Sequence, residues 1–219
     1  MKLLNKILNH TYKPLLERYL QKDRKYTYKS VKLNIYKDVF HPGFFYSTKY
    51  VVNYLANINL TDKLFLEVGC GSGMISIFAA KQNAKVTAVD ISPIAQKCAS
   101  ENANANNVKI NVILSDMFDA LPNKSFDYIM ITPPYFKKNP VSFAEHAWYA
   151  GENLQYFDKL FTGLKKVANK NSQVFMVLAD NCDIELIQSI GLKNNYTMKI
   201  VDKKKIMLEM NYIFEVKQC

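Results

Sequence analysis

The sequence predicts one α/β domain built on a doubly wound, mostly parallel β-sheet. Between residues 63 and 179, short apolar segments typical of buried strands alternate with segments of helical periodicity. Two more strand-like segments close the chain, and the very short connection between them cannot form a parallel crossover. We therefore expect seven strands, helices on both faces of the sheet, and an antiparallel hairpin at its C-terminal edge.

The elements of this sheet follow one another in a regular order. Strands are predicted at 63–68, 85–90, 109–114, 126–131, 172–179, 196–202 and 205–216, and helices at 74–82, 93–106, 152–169 and 183–190. Pro93 suits the first turn of the second of these helices, with Ser92 as its N-cap. Gly191 is expected to end the last helix.

The first 60 residues are expected to form a small extension that packs on the sheet domain of residues 61–219. Residues 2–20 carry leucines and isoleucines at helical spacing. Residues 25–36 alternate and are rich in Tyr, Thr and Val, which predicts a strand or hairpin. The extension should therefore combine a helix with a β-hairpin.

The net charge of +10 lies mostly in this extension. Residues 1–60 hold 11 Lys/Arg and 3 Asp/Glu, whereas residues 61–135 hold 6 and 7. A basic flank suits an acidic partner such as RNA. However, only Arg18 and Arg24 are arginines, and nucleic-acid sites favour arginine for its bidentate geometry. A generally lysine-rich composition explains the charge equally well.

Two classes of protein are not expected. No apolar run approaches the roughly 20 residues that span a bilayer, and the N-terminus has no signal-peptide core, so we expect a cytoplasmic protein without a membrane partner. The cysteines show no metal-ligand spacing, and we therefore expect no metal. They are Cys70, Cys98, Cys182 and Cys219.

A glycine-rich loop follows the first strand of the sheet domain, with the sequence Glu67-Val68-Gly69-Cys70-Gly71-Ser72-Gly73. Its glycines permit positive φ and leave no side chain in the way of a ligand, and free N–H groups begin the next helix. A dinucleotide-binding loop has the spacing GxGxxG, whereas this loop has GxGxG. Glu67 would repel a pyrophosphate but would accept from, or neutralise, the cationic amino-acid and sulfonium part of S-adenosylmethionine.

Acidic residues also end the next two strands. Asp90 can bind both hydroxyls of a ribose, and Asp116 can accept from the exocyclic amine of adenine, with Met117 or Ile91 packed on the ring. Together with Glu67, these acids lie at three successive strand C-termini, which is where such sheets bind ligands. This grouping favours an adenosine cofactor with a cationic end.

The fourth strand runs into Thr132-Pro133-Pro134-Tyr135. With this motif and the glycine loop, residues 63–135 resemble the Rossmann-like S-adenosylmethionine-dependent methyltransferases. They are most similar to the small-domain group, which includes release-factor glutamine methyltransferases and rRNA or tRNA purine N-methyltransferases. The resemblance implies S-adenosylmethionine as cofactor, bound by Glu67, Gly69, Cys70, Gly71, Ser72, Gly73, Asp90, Ile91, Asp116 and Met117.

The resemblance also implies that Thr132, Pro133, Pro134 and Tyr135 are catalytic. An amide or exocyclic amine has a delocalised lone pair, and acceptors that bind its N–H groups localise that pair and aim it at the methyl group. Prolines hold a rigid turn and leave carbonyl groups free as acceptors, and Tyr135 can stack on a planar substrate. The family has Asn, Asp or Ser where this chain has Thr132, which leaves the substrate open.

Two flanking segments are expected to border the site. In the family, the segment before the sheet often covers the methionine end of the cofactor, so Phe45, Ser47 and Thr48 are expected to line it. Ser47 or Thr48 should also cap a helix reaching about Asn57. After the motif, a substrate lid is predicted from Lys137, Lys138, Phe143, His146, Trp148 and Tyr149. Packing on the sheet is the favoured role for Trp148, and His146 as a general base is a weaker hypothesis.

The leading functional hypothesis is N-methylation of a planar amino group in RNA or in a translation-related protein. Methylation of a small molecule is an alternative, because the chain has no obvious recognition module. A scaffold that binds the cofactor without catalysis is another, because Thr132 departs from the family pattern. A dehydrogenase is disfavoured by the loop spacing and by Glu67.

Overall fold

A computed structural model describes residues 22–44 and 46–219 of the chain. The helix predicted at residues 2–20 and the predicted site residue Phe45 lie outside the described residues. Within the described ranges, no helix is long and apolar enough to cross a membrane.

Nine strands, five α-helices and one short 3₁₀ helix (Glu145–Ala147) make up the regular structure of the described part of the chain. The strands are β1 (Arg24–Tyr28), β2 (Val31–Ile35), β3 (Leu64–Val68), β4 (Lys85–Asp90), β5 (Ile110–Leu114), β6 (Tyr128–Ile131), β7 (Gln173–Ala179), β8 (Tyr196–Ile206) and β9 (Glu209–Gln218). The helices are α1 (Ser47–Leu55), α2 (Met74–Lys81), α3 (Pro93–Ala105), α4 (Gln155–Leu164) and α5 (Ile184–Lys193).

Strands β3 to β9 form one seven-stranded sheet in the order β5-β4-β3-β6-β7-β9-β8. Strands β3 to β7 are parallel, whereas β9 runs antiparallel to both β7 and β8. The predicted Rossmann-like sheet with an antiparallel C-terminal hairpin is therefore confirmed. Because the chain moves outward from β3 in both directions, a crevice opens beyond the carboxyl ends of β3 and β6, where such sheets bind ligands.

Helices cover both faces of the sheet, as predicted. One face packs against α1, α2 and α3 through a core that includes Val51 and Ile77. The other face packs against α4 and α5 through a core that includes Phe157, Phe161 and Ile187. Burial of both faces explains why the central strands are apolar throughout rather than alternating.

The β1–β2 hairpin is attached to the sheet domain by two buried asparagines, one within α3 and one directly after it. The Asn34 N–H donates to Asn102 Oδ1 at 2.7 Å, and the Lys32 N–H donates to Asn106 Oδ1 at 3.0 Å. These carboxamides satisfy backbone groups at the outer edge of β2, which would otherwise be an unpaired strand edge. The hairpin therefore packs directly on α3, while a domain boundary at residue 60 stays a prediction.

The prediction that Gly191 ends the last helix was wrong. Helix α5 continues to Lys193, and the left-handed residue that follows it is Asn195, with φ of 65°. A Cβ on Gly191 would lie 3.2 Å from the Tyr196 carbonyl oxygen and 3.3 Å from the Phe161 ring. Glycine is needed there because β8 and α4 approach the helix closely.

The prediction that Ser47 or Thr48 caps α1 was also wrong. Tyr46 is the N-cap, and no side chain caps the helix. Ser47 is already helical, and a capping side chain must come from the non-helical residue before the first turn. Helix α1 ends at Leu55, two residues early, and α4 covers only Gln155–Leu164 of the predicted 152–169.

Candidate functional site

A cavity of about 430 Å³ opens at the carboxyl ends of the parallel strands and brings most of the predicted site residues together. Its lining includes Ser47, Thr48, residues 67–72, Asp90, Ile91, Asp116, Met117 and residues 132–135. Among the described site residues that were predicted, only Gly73 does not line this cavity. Five chain segments distant in sequence therefore converge on one pocket.

Two glycines of the loop are required by close approaches and by backbone conformation. Gly69 has φ of 80°, and a Cβ there would lie 3.0 Å from the Thr132 carbonyl oxygen. Gly73 also has φ of 80°, and its Cβ would lie 3.1 Å from Ala99 Cβ. Gly69 thus lets the loop touch the motif after β6, and Gly73 lets α2 pack against α3. Gly73 therefore has a structural reason to be glycine, and its predicted contact with the cofactor stays a prediction.

Asp90 fixes the glycine loop from the neighbouring strand. Its Oδ2 accepts from the Gly71 N–H and its Oδ1 from the Ser92 N–H, each at 2.9 Å. Burial raises the pKa of Asp90, while these backbone bonds and the nearby His146 act in the opposite direction. Each carboxylate oxygen retains a further acceptor position, so Asp90 can also bind ribose hydroxyls.

Glu67 is buried under the loop, with only 2% of its surface exposed. Its Oε2 accepts from the Ser76 N–H at 2.8 Å and also from the Ser76 hydroxyl. Burial raises the pKa of Glu67 to about 8, because the Ser76 bonds offset desolvation only in part. A cation placed beside Glu67 would favour its charged form.

Asp116 lies at the exposed rim of the cavity rather than in its interior. Its Oδ2 is 2.7 Å from Lys159 Nζ, which also contacts Asp119 at 2.8 Å. The predicted acceptor for adenine is therefore shared with a lysine. In the described ranges, no group of three or more side chains is arranged to hold a metal ion.

The Thr132 hydroxyl is oriented by the glycine loop. It donates to the Gly69 carbonyl oxygen at 2.8 Å, with the Val68 carbonyl oxygen at 3.3 Å. Because its hydrogen is directed to the loop, Oγ1 presents only lone pairs to the cavity. Tyr135 lines the same wall, and burial raises the pKa of Tyr135 to about 12.

Residues 136–151 form a closed excursion beside the motif. The Phe136 N–H donates to the Trp148 carbonyl at 3.0 Å, and the Ala150 N–H donates to the Phe136 carbonyl at 2.9 Å. Trp148 packs on Phe40 with ring centroids 5.2 Å apart. Phe143, His146, Trp148 and Tyr149 all line the cavity. The segment therefore borders the site, and Trp148 both packs and faces the cavity.

Several lining residues were not identified from the sequence. They include Phe40, Gln155, Tyr156, Ala179 and Asn211. Asn211 carried only a weak signal, as a polar residue between Met210 and Tyr212, because β9 also contains the polar residues Glu209 and Glu215. The others depend on packing between distant segments and had no local signature.

Comparison with known proteins places this geometry in a family. Residues 41–198 match the family described as methyltransferase small domain. A protein of Methanocaldococcus jannaschii, named "Putative protein N5-glutamine methyltransferase", is 40% identical over 107 residues, which is 48% of this chain and 51% of that protein. A tRNA1(Val) (adenine(37)-N6)-methyltransferase of Shewanella amazonensis is 37% identical over 92 residues, which is 40% of this chain and 39% of that protein.

The chain spans about half the length of the curated relatives it matches, with 51% and 39% of these two. Among solved structures, a T. thermophilus 16S rRNA N2 G1207 methyltransferase in complex with AdoMet and guanosine has a TM-score of 0.64 at 15% identity. The match covers 89% of this chain and 50% of that chain, and it concerns the fold. The family match extends over most of the chain and includes both predicted motifs, so the chain belongs to the methyltransferase small domain family.

Proposed function

We propose that this chain is an S-adenosylmethionine-dependent methyltransferase that methylates the side-chain nitrogen of a glutamine in a protein. The observation that carries this proposal is the orientation of Thr132. Its hydroxyl donates to the Gly69 carbonyl oxygen. The lone pairs of Thr132 Oγ1 can therefore accept N–H groups of a substrate between the glycine loop and the motif turn. The site is thus equipped to hold a planar nitrogen donor beside the cofactor loop.

The cofactor end of the cavity fits an aminoacyl adenosine. Asp90 would bind the ribose hydroxyls, and Glu67 would face the cationic amino-acid end. A Cβ on Gly71 would meet no atom within 4 Å, so the loop has an open face at this point. S-adenosylmethionine, when bound, supplies an electrophilic methyl group on a positively charged sulfur.

The acceptor end would act mainly by positioning. Thr132 Oγ1 and the Pro133 carbonyl would accept the two N–H groups of the substrate, which withdraws its nitrogen lone pair from conjugation. The new N–C bond replaces the S–C bond, and the nitrogen then carries a positive charge and loses one proton. That proton is acidic enough to leave to water, so the chain needs no strong base. Fixed alignment is a large source of rate in such transfers.

Charge at the cavity rim favours a protein acceptor over RNA. Affinity for phosphates depends on cations that are free to replace counterions. Three lysines on segments bordering the cavity instead lie close to carboxylates: Lys137 at 2.6 Å from Asp183, Lys138 at 2.7 Å from Glu145, and Lys159 at 2.7 Å from Asp116. Exposed Val141 and Phe143 on the same excursion suit an apolar peptide.

The second candidate is N-methylation of an adenine in RNA. The aromatic rings of Tyr135, Phe143 and Trp148 along the cavity support it, because aromatic faces stack on bases. Transfer of a labelled methyl group into fractionated protein, RNA and metabolites separates the two candidates. A cytoplasmic location stays a prediction from the sequence.

Thr132 variants test the proposal with a matched pair. Thr132→Val keeps the shape of the side chain but removes the acceptor, whereas Thr132→Ser keeps the hydroxyl. We expect Thr132→Val to lower kcat by at least about tenfold, while Thr132→Ser stays near wild type. Calorimetry should give the same affinity for S-adenosylhomocysteine in all three proteins.

Two results would contradict the proposal. Full turnover by Thr132→Val would remove the acceptor role of the hydroxyl. Absence of S-adenosylhomocysteine binding by the wild-type chain would remove the cofactor. Asp90→Asn serves as a comparison at the cofactor end of the cavity. It should lower the affinity for S-adenosylhomocysteine by about tenfold, because the charge-assisted bonds to the ribose are lost.

A further inference from the structure

Asn211 is a polar residue of β9 in the wall of the cavity. Its surface is only 5% exposed, and it lines the same pocket as Tyr135. In the antiparallel pairing of β7 with β9, Asn211 lies opposite Ala179, and Ile213 lies opposite Val177. Val177 and Ile213 belong to the core on the α1 side of the sheet. Since alternate residues share a face, Asn211 lies on that face too.

Thr132 lies on the same face of the sheet. Met130, two residues earlier on β6, belongs to the same core as Val177 and Ile213. Strand β9 is two strands from β6, which is about 10 Å at the usual strand spacing, and Asp90 lies on the far side of β3. Asn211 therefore borders the acceptor end of the cavity rather than the adenosine end.

The carboxamide of Asn211 differs from the other buried asparagines in what it contacts. Asn102 and Asn106 use their carboxamides to hold the β2 backbone. In the part of the chain that the structure describes, no such bond is seen for the Asn211 side chain. Its polar atoms are also not sealed in the core, because in the described residues neither polar atom of the Asn211 side chain is fully buried without a hydrogen-bond partner. A polar side chain kept at the cavity wall in this way is available to a ligand.

The chemistry of the acceptor end requires a hydrogen-bond donor. Thr132 Oγ1 and the carbonyl of Pro133 can only accept, and they suit the N–H groups of a carboxamide. The carbonyl oxygen of the same carboxamide needs a donor, and Asn211 Nδ2 has two hydrogens for this purpose. An unmatched carbonyl in a closed site would cost binding.

We propose that Asn211 binds the carbonyl oxygen of the substrate glutamine side chain and thereby turns the nitrogen of that carboxamide toward Thr132. This inference rests on the proposed function and adds a substrate-binding residue on β9. Thr132 distinguishes glutamine from glutamate, because a carboxylate has no N–H group for its acceptor, and Asn211 fixes which end of the carboxamide faces Thr132.

The test uses binding as well as turnover. The probes are N-acetylglutamine N-methylamide and its glutamate counterpart, titrated by NMR into the chain saturated with S-adenosylhomocysteine. The variants are Asn211→Ala and Asn211→Asp. The control is Asn181→Ala, whose exposed carboxamide donates to Glu209 at 2.9 Å outside the cavity. Thermal unfolding of each variant checks that it folds.

We expect Asn211→Ala to weaken the glutamine probe by about tenfold, and Asn211→Asp to weaken it further because a carboxylate repels the carbonyl. Asn181→Ala should match wild type, and the affinity for S-adenosylhomocysteine should stay within about twofold in every variant. Equal effects on the probe and on S-adenosylhomocysteine would overturn the assignment, because Asn211 would then belong to the cofactor end.

Two further outcomes also overturn it. If the Asn211→Ala variant binds the glutamine probe as tightly as wild type does, the carboxamide of Asn211 makes no contact with the probe. Methyl transfer confined to RNA would replace the glutamine acceptor with a base. The first result would leave the proposed function standing, the second would replace its acceptor, and a wild-type chain that binds no S-adenosylhomocysteine would remove the cofactor.

Discussion

Replacing Glu67 by Gln should stabilise the chain at neutral pH while weakening its affinity for S-adenosylhomocysteine. The carboxamide has nearly the shape of the carboxyl group and can still accept from the Ser76 N–H, which now donates to Glu67 at 2.8 Å. The variant therefore changes mainly the titration of residue 67. The same charge that would serve the cofactor is costly in the buried site.

The magnitude follows from the pKa of the buried group. Burial raises the pKa of Glu67 from 4.5 to about 8. A raised carboxyl pKa stabilises the folded chain fully below pH 4.5, and this contribution is lost as the pH rises toward 8. At pH 7 the loss is at most about 3 kcal/mol, from about 1.4 kcal/mol per pH unit. Glu67→Gln has no titrating carboxyl group and does not suffer this loss. The difference in free energy of unfolding between the variant and wild type should therefore grow from near zero at pH 4.5 to about 3 kcal/mol at pH 7.

Urea unfolding at pH 5, 7 and 8.5 measures this difference. Glu152→Gln is the matched control, because this glutamate is exposed and keeps its hydration in both states. Calorimetry at pH 8 should show that Glu67→Gln binds S-adenosylhomocysteine at least about tenfold more weakly, because the ligand ammonium loses its carboxylate partner. Parallel stability curves for wild type and Glu67→Gln across this pH range would refute the reasoning.

Three further predictions address the loop, the hairpin and the excursion. Gly73→Ala should lose about 1–3 kcal/mol in urea unfolding, because φ is 80° and Ala99 is in the way; wild-type stability would contradict this. Asn102→Ala should cost about 1–3 kcal/mol by freeing the β2 backbone, and unchanged hydrogen exchange in β2 would count against it. His146→Ala should weaken the affinity for S-adenosylhomocysteine by less than about fivefold, since the side-chain hydrogen bonds seen for Asp90 in the described residues come from Gly71 and Ser92 and not from His146, and should leave the pH profile of methyl transfer intact. If the variant instead lost one side of the pH–rate profile, His146 would act as a general base.

Much of the fold could be predicted because its determinants are local. Apolar segments of strand length alternate with segments of helical periodicity, and this alternation predicts a parallel sheet. The short final connection requires an antiparallel hairpin. The glycine loop and the motif after β6 were also recognisable, because a tight turn and a proline pair are each formed by consecutive residues and can be read directly from the sequence. The position of three acidic residues at successive strand ends predicted that Glu67, Asp90 and Asp116 would share one site, and all three line the cavity, with Asp116 at its exposed rim.

Other features depended on contacts between distant segments. Gly191 had the signature of a helix end, but the approach of β8 and α4 decided its role. The hydrogen of Thr132 is directed by the Gly69 carbonyl, which is remote in sequence. A local pattern cannot reveal such a partner, because hydrogen-bond direction depends on which groups meet in space.

The sequence by itself therefore determined the succession of strands and helices in the sheet domain, the glycine loop and the motif turn, because period, spacing and residue type act over a few neighbours. Only the tertiary structure decided that Asn211 lines the same cavity as Tyr135 and that Glu67 is buried against Ser76. Strand β9 reaches the site through its pairing with β7, and burial depends on the helices laid over the sheet. Both are consequences of packing, which no segment specifies alone.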